Sequence, residues 1–253
     1  SAGVRLGSLL TREQAKVLAD RVLAMSTADE TRVVVNSAWE GNTRFAGGEI
    51  TTSGESVNTT VSVGATVGKR RASTITNVLD DASLRRTVDL AIRLARLSPE
   101  DPELMPELGA QNYVDVNSFI DSTANLGPEA RATAVRQVLD RANEVGRPAG
   151  DVFVAGYLEA NAGTRAIANN RGLFAYHRIT GADLSTGARD WSAIDPGALG
   201  ARAAQKAVAS RNPQAIEPGP YTVVLEPGAV ADLIPLLTGA FNARGADEGR
   251  GAF

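Results

Sequence analysis

The sequence contains no cysteine and only one histidine among its 253 residues. Without cysteine the chain forms no disulfide and offers no thiolate nucleophile or thiolate metal ligand. A zinc site normally needs three or four ligands from histidine, cysteine and carboxylate side chains, and no HExxH pair is present. These shortages argue against a catalytic zinc site built by this chain alone.

Three further shortages narrow the class of protein. The formal net charge is −3, so the chain lacks the excess of lysine and arginine that is typical of nucleic-acid-binding surfaces. No apolar run approaches the roughly 18 residues that indicate a membrane span, and no signal-peptide pattern is present. The compact basic group at 69–71 is interpreted as a solvated hairpin turn. We therefore expect a cytoplasmic protein that binds neither nucleic acid nor membrane directly.

The first hundred residues alternate between helix and strand patterns. A capping box from Thr11 to Gln14 opens a helix predicted over 12–25. A strand at 32–39, a turn at Glu40-Gly41-Asn42 and a return strand from Thr43 follow, and Gly47-Gly48 bends the chain. Alternation then predicts a strand at 57–67, a turn at Gly68-Lys69 and a fourth strand at 71–78. A helix capped by Asp80 or Asp81 completes an α-β-β-β-β-α order.

The same order is predicted again after a Pro- and Asn-rich connector at 97–127. A helix from Pro128 to Gly146 precedes strands at 151–158 and 164–168, further strand pattern within 173–189, and a helix over 195–210. Thr43-Arg44 and Thr164-Arg165 are 121 residues apart, and this shift superimposes the first helices of both halves. We therefore expect an internally duplicated unit, at 10–97 and 127–211. The predicted class is α+β, a mainly antiparallel sheet with helices packed on one face, as one long sheet or two facing ones.

The last forty residues have a different pattern. Tyr221 to Leu225 is predicted as a short buried strand, and 229–237 as an apolar helix. A strand and helix this apolar need a partner to pack against. The predicted domains are therefore an α+β domain at 1–215 and the start of a β-rich C-terminal domain at 216–253, within a longer architecture.

Few side chains stand out as candidates for chemistry. His177 lies on an alternating strand, where a structural role is the simpler interpretation. A triad of His177, Asp183 and Ser185 has the right residue types, but nothing marks Ser185 as a strained nucleophile. Arg44 and Arg165 are either surface charges or repeat-related arginines that face a shared cleft.

Several motifs, taken in their order, resemble the TldD/PmbA family, which was named for modulation of DNA gyrase and is classed with metallopeptidases. The similarity covers nearly the whole chain, which corresponds to the N-terminal portion of a family member and the entry to its C-terminal portion. The motifs are TRFA at 43–46, AIRLARL at 91–97, NRGLFAYH at 170–177, ASRNP at 209–213 and EPGPYTVVLE at 217–226.

The resemblance implies a cytosolic peptidase subunit that forms a homodimer or a heterodimer and acts on peptides or small proteins. A TldD-type partner carries zinc on an HExxxH motif directly after the strand equivalent to 221–225. An alignment without gaps puts Val230, Ala231 and Pro235 at the three motif positions here, and none of them can ligate zinc or act as a base. No catalytic, metal-binding or cofactor-binding residue is therefore assigned to this chain.

We therefore expect the zinc-free, PmbA-like (TldE-like) subunit, which shapes the dimer and the peptide cleft while a TldD-like partner supplies zinc. The alternative is a non-catalytic dimeric scaffold that binds a peptide or small ligand. A self-sufficient hydrolase with another mechanism has no residue support.

Overall fold

The computed structural model describes residues 9–150 and 152–251. The chain divides into two compact units, Ser1–Ala209 and Ser210–Phe253. The larger unit holds all the strands of the described chain and most of its helices. Its elements in chain order are α1 (Arg12–Leu23), β1 (Glu30–Ala46), β2 (Glu49–Val67), β3 (Arg70–Thr76), α2 (Asp81–Leu97), α3 (Asp121–Ala124), α4 (Pro128–Gly146), β4 (Ala155–Asn169), β5 (Phe174–Asp183), β6 (Gly187–Ala188) and α5 (Pro196–Ala209).

The six strands form one antiparallel sheet in the order β3-β2-β1-β4-β5-β6. The first three strands are one half of the sheet and the last three are the other half. The two halves join where β1 pairs with β4 along fifteen residues, from Arg32–Asn169 to Ala46–Ala155. Each half contributes a helix before and after its strands, so the duplication predicted from the sequence is present, and the two halves share one sheet.

The core lies on one face of this sheet. Alternate residues of β1 are buried, because successive side chains of a strand point to opposite faces. Val33 and Val35 pack with α1 and α2 in one cluster, while Trp39 and Phe45 pack with α4 in a second. We call this the helix face. The other face carries Asn36 on β1 and is called the open face, so the prediction of an α+β sheet with helices on one face is confirmed.

One predicted turn is wrong. β1 runs without a break from Glu30 to Ala46, and Glu40, Gly41 and Asn42 lie in its middle, paired with strands on both sides. A Cβ atom on Gly41 would lie 2.5 Å from Nη1 of Arg131, so the glycine leaves room for packing rather than for a turn. The chain reverses at Gly47-Gly48, where φ is +60° and +88°.

The second half differs from prediction in the same way. The expected turn at 161–163 lies inside β4, which again runs through the glycine without reversing. Each half therefore has the order α-β-β-β-α, with three strands where four were predicted. The physical reason is that a glycine close to an asparagine suits both a turn and a strand that packs closely against its neighbours, and the sequence pattern does not separate the two.

The smaller unit contains α6 (Pro227–Thr238) and α7 (Ala243–Asp247). The helix predicted at 229–237 is confirmed. The strand predicted at 221–225 is wrong for this structure, because these residues are irregular and exposed. A strand requires hydrogen bonds from a neighbouring strand, and none in the described chain pairs with this segment. Within the described residues, no helix is long and apolar enough to cross a membrane.

Candidate functional site

The connector between the two halves is held firmly at its start. The backbone N–H of Asp101 donates to the carbonyl of Lys69 at 2.8 Å, and the Lys69 amine donates to the carbonyl of Leu104 at 2.9 Å. Arg71 then donates to the Glu107 carboxylate at 2.6 Å. The turn predicted at Gly68-Lys69 is confirmed, but its cations are not simply solvated, because they bind the connector to the sheet.

The far end of the connector is attached to the edge of β5. The backbone N–H of Thr180 donates to the carbonyl of Ser118 at 3.0 Å, and the N–H of Ile120 donates to the Thr180 hydroxyl at 3.1 Å. Between the two attachments, residues 109–117 form a segment that we call the strap. A cavity of about 1020 Å³ lies between the strap and the sheet.

Three polar side chains form a row across the sheet in this cavity. Asn36 on β1 is paired with Arg165 on β4, and Arg165 is paired with His177 on β5. All three line the cavity from the open face. Directly opposite residues on adjacent antiparallel strands have Cβ atoms about 4.5–5.5 Å apart. The row therefore presents an amide, a guanidinium and an imidazole within one short stretch of surface.

The cavity continues round the edge of β5 to the helix face, where aromatic rings lie under two arginines. The Arg178 guanidinium is 3.6 Å from the centre of the Phe119 ring, and that of Arg12 is 5.3 Å from the Phe174 ring. The hydroxyl of Tyr176 donates to the carbonyl of Leu10 at 2.9 Å. Burial raises the pKa of Tyr176, although the positive charge of Arg178 acts in the opposite direction. Tyr176 therefore stays protonated and serves as a donor.

The edge of β5 itself faces the cavity. β6 pairs only with residues 182 and 183, which leaves the preceding residues of β5 without a neighbouring strand on that side. The N–H of Thr180 points outward to Ser118. Because backbone groups alternate in direction along a strand, Tyr176 and Arg178 also direct their N–H and carbonyl groups outward. The cavity therefore contains an unpaired strand edge beside the polar row.

The structure brings together two of the residues singled out in the sequence. Arg165 and His177 are direct cross-strand neighbours. Arg44 is elsewhere: it is paired with Tyr157, and its guanidinium lies 4.7 Å from the centre of that ring. Eight residues of β1 separate the register position of Arg44 from that of Arg165, about 26 Å at 3.3 Å per residue. The alternative in which these two arginines face a shared cleft is therefore wrong.

The candidate triad is not assembled. His177 and Asp183 are six residues apart on one continuous strand, which corresponds to about 20 Å. Ser185 has a φ of +59° in the tight turn between β5 and β6, where the reversal of the chain accounts for it. Of the two residues predicted to cap α2, Asp80 is the cap, since its carboxylate accepts from the N–H of Ser83 at 2.8 Å.

The positions aligned with the zinc motif lie on α6. Val230 and Pro235 are part of this helix, with Ala231 between them. In the described part of the chain, no group of three or more His, Asp or Glu side chains is placed to hold a metal ion. Sequence reasoning did not identify Asn36, which carries no motif, and it identified the strap only as part of the long Pro- and Asn-rich connector at 97–127. The one available signal was the alternation of β1, which places Asn36 on the face opposite Val33 and Val35.

Comparisons with known proteins identify solved structures with a similar fold. No protein-family model and no curated protein sequence matches the chain. Among solved structures, a "putative modulator of a DNA gyrase" from Thermotoga maritima aligns with a TM-score of 0.68 at 17% identity, over 81% of this chain and 50% of that one. TldE from Thermococcus kodakarensis aligns at 0.65 and 15%, over 76% and 46%. A "putative modulator of DNA gyrase" from Bacteroides thetaiotaomicron aligns at 0.75 and 15%, over 94% and 59%.

At 15–17% identity the likeness concerns the fold. The chain has the α+β fold of these proteins, and the resemblance recognised in the sequence motifs is confirmed at that level. The chain spans about half the length of the solved structures it matches.

Proposed function

We propose that this chain is the N-terminal portion of a TldD/PmbA-type protein that acts as the zinc-free subunit of a peptidase complex. The observation that carries the proposal is the shared fold with TldE and with the two gyrase-modulator proteins, together with the ordered motifs in the sequence. The residues Val230, Ala231 and Pro235 at the aligned motif positions support a subunit that leaves zinc chemistry to a partner. Its cytoplasmic location and dimeric state remain predictions.

The role of the subunit in this proposal is to hold an extended peptide. The unpaired edge of β5 offers outward N–H and carbonyl groups beside a cavity large enough for several residues. Main-chain pairing to a sheet edge binds peptides with little dependence on their sequence, as a protease with varied substrates requires. Tyr176 and Arg178 supply the outward groups closest to the attachment at Thr180.

The proposal is tested by measuring zinc content and peptide cleavage for the full-length protein alone, for a TldD-like partner alone, and for their mixture. We expect zinc and cleavage to require the partner. A mixture containing a partner with glutamine in place of the glutamate of HExxxH is the control and should be inactive. Zinc binding and cleavage by the purified protein alone would overturn the zinc-free assignment. A pull-down with the full-length protein that recovers only further copies of itself or unrelated proteins would favour the alternative, a dimeric peptide-binding scaffold.

The peptide-binding role has its own test at the edge of β5. Arg178→Pro removes an outward N–H but leaves the hydrogen bonds between β5 and β4 intact. Arg178→Ala is the matched control, because it removes the same side chain and keeps the N–H. We expect Arg178→Pro to weaken binding of an extended peptide about fivefold or more relative to Arg178→Ala, as measured by fluorescence anisotropy. Equal affinities would exclude main-chain pairing at this position.

A further inference from the structure

The polar row in the cavity is unusual because its side chains have no partners within the described chain. The side chains of Asn36, Arg165 and His177 form no hydrogen bond or ion pair among the described residues. The other arginines that line the cavity differ, since Arg12 and Arg178 each lie over an aromatic ring. A guanidinium held on the rigid centre of a sheet, between two further potential donors and without a counter-ion, is suited to a ligand anion.

We propose that the cavity under the strap binds a carboxylate-bearing ligand, with Arg165 as its charged contact and Asn36 and His177 as flanking donors. An arginine fork matches the two oxygens of a carboxylate and donates to both. The amide and the imidazole on the adjacent strands lie close enough to donate from either side. The inference concerns this chain alone and holds whether or not the protein works with a zinc-bearing partner.

The other residues that line the cavity favour a ligand with a single carboxylate attached to an apolar group. Ile167 and Ile179 lie on the same face of the sheet as Arg165, and both line the cavity together with Val114 of the strap. Asp115 on the strap and Asp121 at the start of α3 also line the cavity. These two carboxylates repel a ligand of high negative charge, such as a phosphate ester, more than they repel a monoanion.

This chemistry is shared by two sources, the free C-terminus of a peptide and a small organic acid. The experiment uses three probes: an N-acetylated apolar tripeptide with a free carboxyl terminus, the same tripeptide as its C-terminal amide, and isovalerate. The protein is labelled with 13C in histidine, and the resonance of His177 is identified by its loss in His177→Gln. Each probe is titrated, and the shift of this resonance gives the dissociation constant.

We expect the tripeptide acid to shift the His177 resonance with saturation and the amide to bind at least about tenfold more weakly, because a charge-assisted hydrogen bond is lost. Binding of isovalerate with an affinity similar to that of the tripeptide acid would identify a small acid as the ligand class. A much weaker response to isovalerate would identify a peptide terminus. Equal binding of acid and amide, or no saturable shift with any probe up to about 10 mM, overturns the proposal.

Arg165→Gln and Arg44→Gln form the matched pair of variants. Arg44 lies on the same face and is the sequence equivalent of Arg165 in the other half, but it stacks on Tyr157 outside the cavity. We expect Arg165→Gln to weaken binding of the tripeptide acid about tenfold or more and Arg44→Gln to leave it unchanged. Equal affinities of the two variants contradict the assignment of Arg165. A melting curve for each variant confirms that both are folded.

Discussion

Arg131 is a guanidinium with no exposed surface, on the helix face of the sheet near the start of α4. Its Nη1 atom donates to the carbonyl of Leu126 at 2.8 Å and lies 3.1 Å from the Glu55 carboxylate. Nε donates to the Thr43 hydroxyl at 3.3 Å. A buried charge is tolerated only when it is paired and hydrogen-bonded, and here one side chain joins α4 to β1 and β2.

We expect Arg131→Leu to lower the free energy of unfolding by about 3 kcal/mol, because it leaves buried acceptors without a donor. Arg136→Leu, on an exposed part of the same helix, is the control and should change stability by less than about 0.5 kcal/mol. The measurement is urea denaturation followed by circular dichroism. Similar values for the two variants would mean that Arg131 does not fasten the helix to the sheet.

At the residue scale a second prediction concerns Asp80, the N-cap of α2. Hydrogen bonds from the backbone N–H and the hydroxyl of Ser83 lower the pKa of its carboxyl group. Because the pKa is lower in the folded state than in the unfolded state, the cap stabilises the fold above the unfolded value, about 3.9. This contribution is lost as the pH falls through the folded pKa.

Asp80→Asn keeps a capping side chain but removes the titration. We expect the variant to melt a few degrees below the wild type at pH 6 and the difference to shrink towards pH 3, as measured by calorimetry. Asp89→Asn, at an exposed position within the same helix, serves as the control. A difference for Asp80→Asn that stays constant from pH 6 to pH 3 would contradict the proposed linkage.

At the scale of elements, the contact between α4 and α5 depends on one glycine. A Cβ atom on Gly200 would lie 2.9 Å from the Cα atom of Val138 and closer still to the carbonyl oxygen of that residue. The backbone of α4 cannot move aside as a flexible side chain can. The glycine therefore allows the two helices to approach closely, at the expense of its low helix propensity.

We expect Gly200→Ala to destabilise the fold by about 1–3 kcal/mol despite the gain in helix propensity, because it forces α4 and α5 apart. Gly197→Ala in the first turn of α5 is the matched control. Its nearest neighbour is Cγ of the Arg141 side chain at 3.2 Å, which can move. Chemical denaturation of both variants gives the comparison, and a Gly200→Ala protein as stable as Gly197→Ala would show that the helices adjust without cost.

The whole molecule depends on the central pairing of β1 with β4. At this junction β4, the longest strand of the second half, pairs with β1, which has 17 residues. A half taken alone would expose the full edge of that strand to solvent, with unpaired N–H and carbonyl groups beside apolar side chains. Exposed long edges pair with other chains.

We expect a fragment of residues 9–98 to form dimers or aggregates and to become a defined one-to-one complex when mixed with residues 118–209. Size-exclusion chromatography with light scattering measures both states, and the intact protein is the reference. A monomeric fragment 9–98 with a cooperative melting transition would show that the halves are independent domains and that the junction adds little to their stability.

Local features could be predicted from the sequence because the interactions that create them join residues close together in the chain. The capping box at Thr11 and Gln14 is present in the structure, with hydrogen bonds of 3.2 and 2.9 Å, and the helix predicted at 12–25 is α1 (Arg12–Leu23). The cap at Asp80 is likewise made by a residue three positions away. Such signals are complete within one turn of the chain.

The candidate site could be predicted only in part from the sequence. The sequence indicated Arg165 and His177 separately, Arg165 as one of two repeat-related arginines and His177 as the one histidine. Their pairing with each other and with Asn36 requires the register of three strands that are up to 141 residues apart. The role of the strap requires in addition that the connector be attached at Glu107 and Ser118. Neither relation leaves a pattern in the sequence.

By itself the sequence determined the α+β class, the longer helices and their caps, the duplication of the helix-and-strand unit, and the likeness to the TldD/PmbA fold. These follow from apolar periodicity and capping chemistry, which depend on near neighbours. The tertiary structure alone decided that Gly41 lies in a continuous strand, that the halves share one sheet, and which polar residues meet under the strap. Those outcomes depend on contacts between distant segments, where the same residues satisfy more than one local pattern.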